Sequence, residues 1–125
     1  MAVIEALGKI GDVRALKSLI LLLKERQSSI RVMAIEAMGA IGDIKAVTPL
    51  IQTLEEDDSK VRFKTIEALG KIGDVRAVVP LIQRLKDKNT LIRIKVIEVL
   101  GELGDARAVG PLIQIQKDQK DYYFQ

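Results

Sequence analysis

A short phrase returns four times along this chain, always at the same interval. Versions of EALGKIGD begin at Glu5, Glu36, Glu67 and Glu98, which are 31 residues apart, and the eleven letters EALGKIGDVRA recur unchanged at 5–15 and 67–77. A catalytic loop needs one copy, whereas an array of stacked units needs one in every unit. The period therefore predicts a repeat architecture.

Each unit contains two amphipathic segments separated by a Gly-Asp pair. In the third unit, apolar residues recur at the 3.6-residue spacing of a helix, and Phe63, Glu67 and Lys71 lie on the opposite side. A second apolar stripe follows the Gly-Asp pair. The two stripes consist of Val61, Thr65, Ala68, Leu69 and Ile72, and of Ala77, Val78, Leu81, Ile82 and Leu85. Each unit is therefore predicted to be a helical hairpin.

The residues between the two helices of a unit have turn and cap chemistry. Gly70 and Gly73 stand where the first helix is expected to stop, because glycine adopts the left-handed conformation that ends helices. Asp74 then accepts hydrogen bonds from the free amides of the next helix, a cap worth about 1 kcal/mol. An arginine at the edge of the buried face is expected to reach the caps and form an Arg–Asp ladder. The predicted caps are Asp12, Asp43, Asp74 and Asp105, and the predicted ladder arginines are Arg31, Arg62 and Arg93.

Such a two-helix unit cannot bury its own apolar stripes, but stacked units share a core in which each contacts only its neighbours. The predicted fold is an all-α solenoid that forms one domain over residues 1–125. The repeats are predicted at about 1–26 with a truncated first helix, 27–57, 58–88 and 89–119, with a tail at 120–125.

The recurring phrase V-R-x-x-x-x-E-A-L-G-x-I-G-D-x-R-A-V-x-P-L-I-x-x-L resembles the HEAT-like repeat of the phycobilisome-lyase type. The resemblance extends from Glu5 to about Gln116 and recurs in all four units. It implies a right-handed superhelix of antiparallel helix pairs and, in most members, a binding function.

Composition restricts the chemistry that this chain can perform. It has no His and no Cys, which removes the commonest general base, the commonest metal ligand and any thiolate site. Neither a metal nor a cofactor is predicted. The longest apolar run, residues 19–23, is too short to span a membrane, and an acid stands in MAVIEALGKI where a secretory signal has bases. We expect a cytoplasmic protein that does not bind membranes.

The outer side of the first helices carries the candidate binding surface. The recurring glutamates lie at its centre, and stacked helices place equivalent residues about 8–10 Å apart, so a row of carboxylates is expected. Beside the row, an apolar residue recurs where a surface helix needs none, and this column is expected to be exposed. An acidic row beside an apolar column predicts a groove for a basic amphipathic peptide. The apolar column consists of Val32, Phe63 and Ile94.

An alternative interpretation of the same row is a solvated helix face. Glu5 with Lys9, and Glu67 with Lys71, have the favourable i, i+4 order for local ion pairs. The sequence leaves both interpretations open.

The family resemblance adds positions to this surface. In designed solenoids of this HEAT-like type, the varied, target-binding residues lie on the first helix, which lines the concave face. The resemblance implies binding through Met33, Glu36 and Ala40 in the second repeat, Ser59, Lys60, Phe63, Lys64, Glu67 and Lys71 in the third, and Ile94, Lys95, Glu98 and Glu102 in the fourth.

The two ends of the array differ. At the C-terminal end, Gln116 replaces a core leucine and a polar tail follows, so this end is predicted to be closed. At the N-terminal end, Leu21 and Leu22 make the second helix apolar nearly all round. We predict self-association through this repeat, as a homodimer. The alternatives are a fragment of a longer solenoid and a rearranged first repeat.

The leading functional prediction is a non-enzymatic scaffold that binds a protein or peptide through the concave face. The alternative from the enzyme class is an accessory subunit of a phycobilin-lyase-like enzyme, which the family resemblance implies. An iron-dependent hydroxylase of the same family is excluded, because its His-Glu ligand pairs have no His here. Nucleic acid is disfavoured, since 20 basic and 17 acidic residues are interleaved and the Glu row would repel phosphates.

Overall fold

The computed structural model describes residues 2–124, and the side chains of residues 2–119. This part of the chain contains eight α-helices, joined by loops and short 3-10 turns, and no β-strand. Consecutive helices pair into four antiparallel hairpins, so the predicted all-α solenoid is confirmed. The helices are α1 (Ala2–Ile10), α2 (Leu16–Leu22), α3 (Ser28–Ile41), α4 (Val47–Thr53), α5 (Ser59–Ile72), α6 (Val78–Gln83), α7 (Thr90–Leu103) and α8 (Val109–Phe124).

Each first helix ends at a glycine in the left-handed conformation, followed by a capping Asp. Gly73 has a φ of 74°, and its amide donates to the Leu69 carbonyl. Asp74 Oδ1 then accepts the Arg76 amide at 2.8 Å and starts a 3-10 turn that leads into α6. The same arrangement recurs at Gly11 and Asp12, Gly42 and Asp43, and Gly104 and Asp105.

The other glycine of the phrase serves packing. A methyl group on Gly39 would lie 3.0 Å from Ala68 Cβ, and one on Gly70 would lie 3.0 Å from Val99 Cγ2. Gly70 therefore lies inside α5 and not at its end, contrary to the sequence prediction. Its role is to let α5 and α7 approach closely, as Gly39 does for α3 and α5.

The helices form two layers with the apolar core between them. The first helices, α1, α3, α5 and α7, contact one another in order, and α2, α4 and α6 each pack against the first helix of the following repeat. Every repeat contributes large side chains to this continuous core. The largest fully buried aliphatic side chains include Leu19, Ile35, Leu50, Ile66, Leu81, Ile92 and Leu100.

The arginine column ties down the loops between repeats. Arg62 Nη1 donates to the Glu56 and Asp57 carbonyls at 2.9 and 2.8 Å. Its Nε and Nη2 bind both carboxylate oxygens of Asp87, at 2.9 and 3.1 Å, in a buried bidentate pair. The arginine thus links the loop on one side of its repeat to the loop on the other.

The other two arginines make parts of this arrangement. Arg31 Nη1 donates to the Glu25 and Arg26 carbonyls, and its Nε lies 3.2 Å from Glu56 Oε1 without a hydrogen bond. Arg93 Nη1 donates to the Asp87 carbonyl at 2.6 Å. The arginines thus bind loop carbonyls and the carboxylates of Glu56 and Asp87. The sequence had predicted that they would bind the Asp caps. The reason for the difference is that these arginines lie near the start of the first helix, at the opposite end of the hairpin from the caps.

The C-terminal end of the array is more exposed than the sequence predicted. Val109 and Ile113 of α8 are exposed, although their counterparts in the preceding repeats are buried or partly buried. Gln116 is polar, but it does not shield these neighbours. The prediction of a closed C-terminal end is therefore wrong for the described residues. Tail residues 120–125 lie outside the described side chains.

Candidate functional site

The row of glutamates on the first helices is interleaved with lysines. Lys64 Nζ lies 3.9 Å from Glu36 Oε2 on the preceding helix and 3.5 Å from Glu67 Oε1 on its own helix. Lys95 Nζ repeats this, at 3.9 Å from Glu67 Oε2 and 3.4 Å from Glu98 Oε1. These five side chains form one chain of alternating charge across α3, α5 and α7, which we call the Glu–Lys chain.

The Glu–Lys chain changes both interpretations of the row. Lysines compensate the negative charge in the middle of the row, so the row is not the continuous acidic strip that the sequence predicted. The compensation also differs from the i, i+4 alternative, because neither Glu5 with Lys9 nor Glu67 with Lys71 forms an ion pair in the described residues. The ion pairs that form instead join residues three positions apart on one helix, or residues on neighbouring first helices. The lysines that recur three residues before Glu67 and Glu98 were the sequence signal for this arrangement.

The apolar column beside the row is exposed only at its C-terminal end. Val32 is 5% exposed, Phe63 is partly buried against the core, and Ile94 is 55% exposed. Lys95 Nζ lies 5.9 Å from the centroid of the Phe63 ring, within cation–π range. The prediction of an exposed column is therefore wrong at Val32 and only partly right at Phe63. The exposure of the column therefore increases from Val32 to Ile94.

A groove lies between α1 and α3 at the N-terminal end of the row. Its volume is about 350 Å³, and exposed Glu5, Lys9 and Glu36 stand among small or apolar residues. The family resemblance pointed to Met33, Glu36 and Ala40 in this region, but it assigned no residue of α1. The groove is lined by Glu5, Gly8, Lys9, Met33, Glu36, Ala37 and Ala40.

The remaining predicted binding residues are dispersed over the outer face of the later helices. Ser59 and Lys60 are exposed in the first turn of α5, and Lys71 is exposed in its last turn. Glu102 is exposed in the last turn of α7. They do not line the groove between α1 and α3, so the structure does not gather all of the implied positions into one site.

The two leucines predicted for self-association differ in their surroundings. Leu21 is 63% exposed, whereas Leu22 is partly buried and packs against the core. Leu21 borders a second groove with Val13 and Ile20. Only Leu21 is therefore a free apolar side chain on this helix face.

The carboxyls with perturbed pKa values act as hydrogen-bond acceptors. Hydrogen bonds from the Arg14, Arg76 and Arg107 side chains, and then from their amides, lower the pKa of the preceding Asp cap. Burial alone would raise the pKa of Asp87, but the hydrogen bonds from Arg62 and from the Asn89 amide hold it below its ordinary value. Lowered pKa values keep these groups ionised, which suits caps and ion pairs and not proton donation.

Family models match nearly the whole chain. A model of HEAT repeats matches residues 19–89 and 47–125, and a model of the PBS lyase HEAT-like repeat matches residues 1–25. The chain belongs to the HEAT repeat family. The predicted resemblance is thereby confirmed. No curated protein matches the chain.

Membership of the HEAT repeat family agrees with the two-layer helical scaffold. HEAT repeats form elongated arrays with large outer surfaces, and such scaffolds are generally non-catalytic. None of the helices in the described part of the chain has both the length and the apolar character needed to cross a membrane.

Proposed function

We propose that this HEAT repeat protein is a non-enzymatic scaffold that binds a protein or peptide through the outer face of its first helices. The observation that carries the proposal is the groove between α1 and α3. It combines an apolar floor with charged side chains at its edges, which is the usual composition of a peptide-binding groove.

The charges favour a basic amphipathic segment as the partner. Glu5 is exposed, and Glu36 has only a 3.9 Å contact with Lys64 and remains half exposed. In contrast, Glu67 is held by two lysines and is more buried. A Lys or Arg of the partner would lie between Glu5 and Glu36, and an apolar side chain would pack on Met33 and Ala40.

The packing of the first helices supports a concave binding face. The glycine columns let these helices approach closely, and the row of helices with the smaller spacing lies on the inner side of a curved array. A concave first-helix face would place the groove and the Glu–Lys chain on the same surface.

The proposal is tested by selecting helical peptides from a display library on the full chain. The selected peptides are labelled, and their affinities are measured by fluorescence anisotropy. Binders should carry Lys or Arg on one face and apolar residues on the other, and Glu36→Lys should weaken them by about tenfold or more. Glu98→Lys is the matched control, because it makes the same charge change at the far end of the row.

Two results would contradict this function. One is the enrichment of acidic or uncharged peptides, and the other is equal weakening by Glu36→Lys and Glu98→Lys. Phe63 and Glu67 are poor test positions, since Phe63 packs against the core and Glu67 holds two lysines. Changes there would alter stability as well as binding.

An accessory role in a phycobilin-lyase-like enzyme is the second candidate. Its support is the match of residues 1–25 to the PBS lyase HEAT-like repeat. This role requires contact with a tetrapyrrole or with a lyase subunit. Titrating the chain into a free phycobilin should then shift the absorption spectrum of the pigment, and an unchanged spectrum together with no binding to a lyase subunit would remove this candidate.

A further inference from the structure

The interface between neighbouring repeats occurs three times inside the chain, and its two halves are exposed at the two ends. Equivalent residues show this directly. Val3 is 70% exposed, whereas its counterparts Ala34, Thr65 and Val96 are fully buried. Burial at this position therefore requires a preceding repeat.

The N-terminal face consists of the residues that would contact a preceding repeat. Besides Val3, it includes Ala6 and Ile10, which are both exposed. Ala6 is equivalent to Ala37 and Ala68, which are buried against the glycines of the preceding helix. The N-terminal face thus has the small and aliphatic residues of an internal contact surface.

The C-terminal face consists of the residues that would contact a following repeat. Val109 is 54% exposed, although its counterparts Leu16, Val47 and Val78 are buried. Gly101 has open space where a side chain would be, unlike Gly39 and Gly70, which are packed against the next helix.

Aliphatic side chains continue this face across the last hairpin. Ile94 is exposed on α7, and Ile97 and Ile115 line an open groove between α7 and α8. Among the described side chains, this face is mainly aliphatic, and Asp118 and Gln119 lie at the edge of the groove.

Each end of the array also carries one partner of a hydrogen bond that is complete at the internal interfaces. Arg76 Nη2 donates back to the Ile44 carbonyl at 3.1 Å, and Arg107 Nη2 donates back to the Val75 carbonyl at 3.2 Å. Arg14 is the equivalent residue of the first repeat, and its side chain is 88% exposed. The equivalent acceptor at the C-terminal end is the carbonyl of Ala106.

We propose that the N-terminal face of one copy docks onto the C-terminal face of a second copy, in the geometry of the internal repeat interface. Ala6 of one copy then packs against Gly101 of the other, as Ala68 packs against Gly39. Arg14 donates to the Ala106 carbonyl across the junction. The contact joins two different surfaces, so it continues from copy to copy and builds rows or closed rings. A two-fold dimer through Leu21 would instead join identical surfaces and stop at two chains.

Complementary blocking variants test this arrangement. Gly101→Arg fills the open C-terminal site, and Ala6→Arg blocks the N-terminal face. Both positions are exposed, so the folded monomer accommodates either side chain. Thr48→Arg is the matched control, because it adds the same charge at an exposed site of an internal repeat. Masses are measured by sedimentation velocity over a range of concentrations, and circular dichroism checks the fold.

The wild-type chain and Thr48→Arg should form species larger than a dimer as the concentration rises. Each blocking variant alone should stay monomeric, with self-association weakened by about tenfold or more. An equimolar mixture of the two variants should give a heterodimer and nothing larger, because one intact junction remains. A wild-type monomer at about 1 mM, or a mixture that stays monomeric, would overturn the proposal. So would a dimer that persists in both variants and is lost in Leu21→Lys.

Discussion

Arg62 makes the most buried ion pair of the described residues. Its guanidinium joins two loop carbonyls to Asp87, and both side chains of the ion pair are almost inaccessible to solvent. The equivalent pair of Arg31 and Glu56 is more exposed and is not bidentate. The same column of arginines therefore offers an internal comparison of buried and half-exposed pairs.

Arg62→Ala should lower the free energy of unfolding by about 3–5 kcal/mol, because it leaves the Asp87 carboxylate buried without its ion-pair partner. Arg31→Ala should cost about 1–2 kcal/mol, since water reaches Glu56. Urea unfolding followed by circular dichroism measures both values. Equal losses for the two variants would show that the carbonyl contacts matter and that the buried ion pair does not.

The Asp87 pair should also make stability depend on pH in the acidic range. The pKa of Asp87 is lower in the folded chain than in the unfolded chain, where an aspartate has a value of about 3.9. Its contribution is therefore fully present above the unfolded pKa and is lost as the pH falls through the folded pKa.

This dependence is measured against Asp87→Asn, which cannot ionise. The wild-type chain should be more stable than the variant by a constant amount above about pH 5, and the difference should shrink below about pH 4. Urea unfolding at each pH gives the difference. A gap that stays constant down to about pH 2, or that grows on acidification, would contradict the assigned direction of the pKa shift.

At the scale of the helices, the spacing between neighbours is set by single glycines. Gly39 lies inside α3 at the contact with α5, whereas Gly101 is at the equivalent place in α7 with nothing against it. The two positions have equivalent places in the repeat and the same helical conformation. Comparing the same substitution at both therefore separates the effect of packing on stability from the effect of helix propensity.

Gly39→Ala should destabilise the chain by about 1–3 kcal/mol, because its methyl group would overlap Ala68 and push α3 and α5 apart. Gly101→Ala should stabilise the monomer by about 0.5–1 kcal/mol through helix propensity alone. Thermal and urea unfolding at low protein concentration measure both. A stabilising Gly39→Ala would mean that the first helices are not in close contact.

At the scale of the whole molecule, each repeat is stabilised by its neighbours. The helices α3 and α5 pack between two first helices, while α1 and α7 have such a neighbour on one side only. Opening should therefore begin at the ends of the array.

Amide hydrogen exchange should be slowest in α3 and α5, and faster by about tenfold or more in α1 and in the C-terminal half of α8. Mass spectrometry of peptic peptides at low micromolar concentration measures this gradient in a mainly monomeric sample. Uniform protection from α1 to α8 would indicate that the four repeats unfold as one unit, without the nearest-neighbour behaviour of a solenoid.

The sequence by itself determined the hairpins, the turns and the repeat family. Helix periodicity, the left-handed Gly73 and the Asp74 cap are local properties that a short stretch of sequence specifies. The 31-residue period repeats them four times, so four units independently give the same prediction. The groove was only partly predicted, because Glu5 and Glu36 came from the repeated phrase and Met33 from the family pattern, while the contribution of Lys9 depended on the placement of α1.

Only the tertiary structure decided which outward positions face solvent and which ions pair. Val32 and Ile94 occupy the same place on the helix, yet the first is 5% exposed and the second is 55% exposed. Likewise, Lys64 and Lys95 reach glutamates of the preceding helix. These outcomes depend on the offset and spacing of neighbouring helices, which a pattern within one helix does not contain.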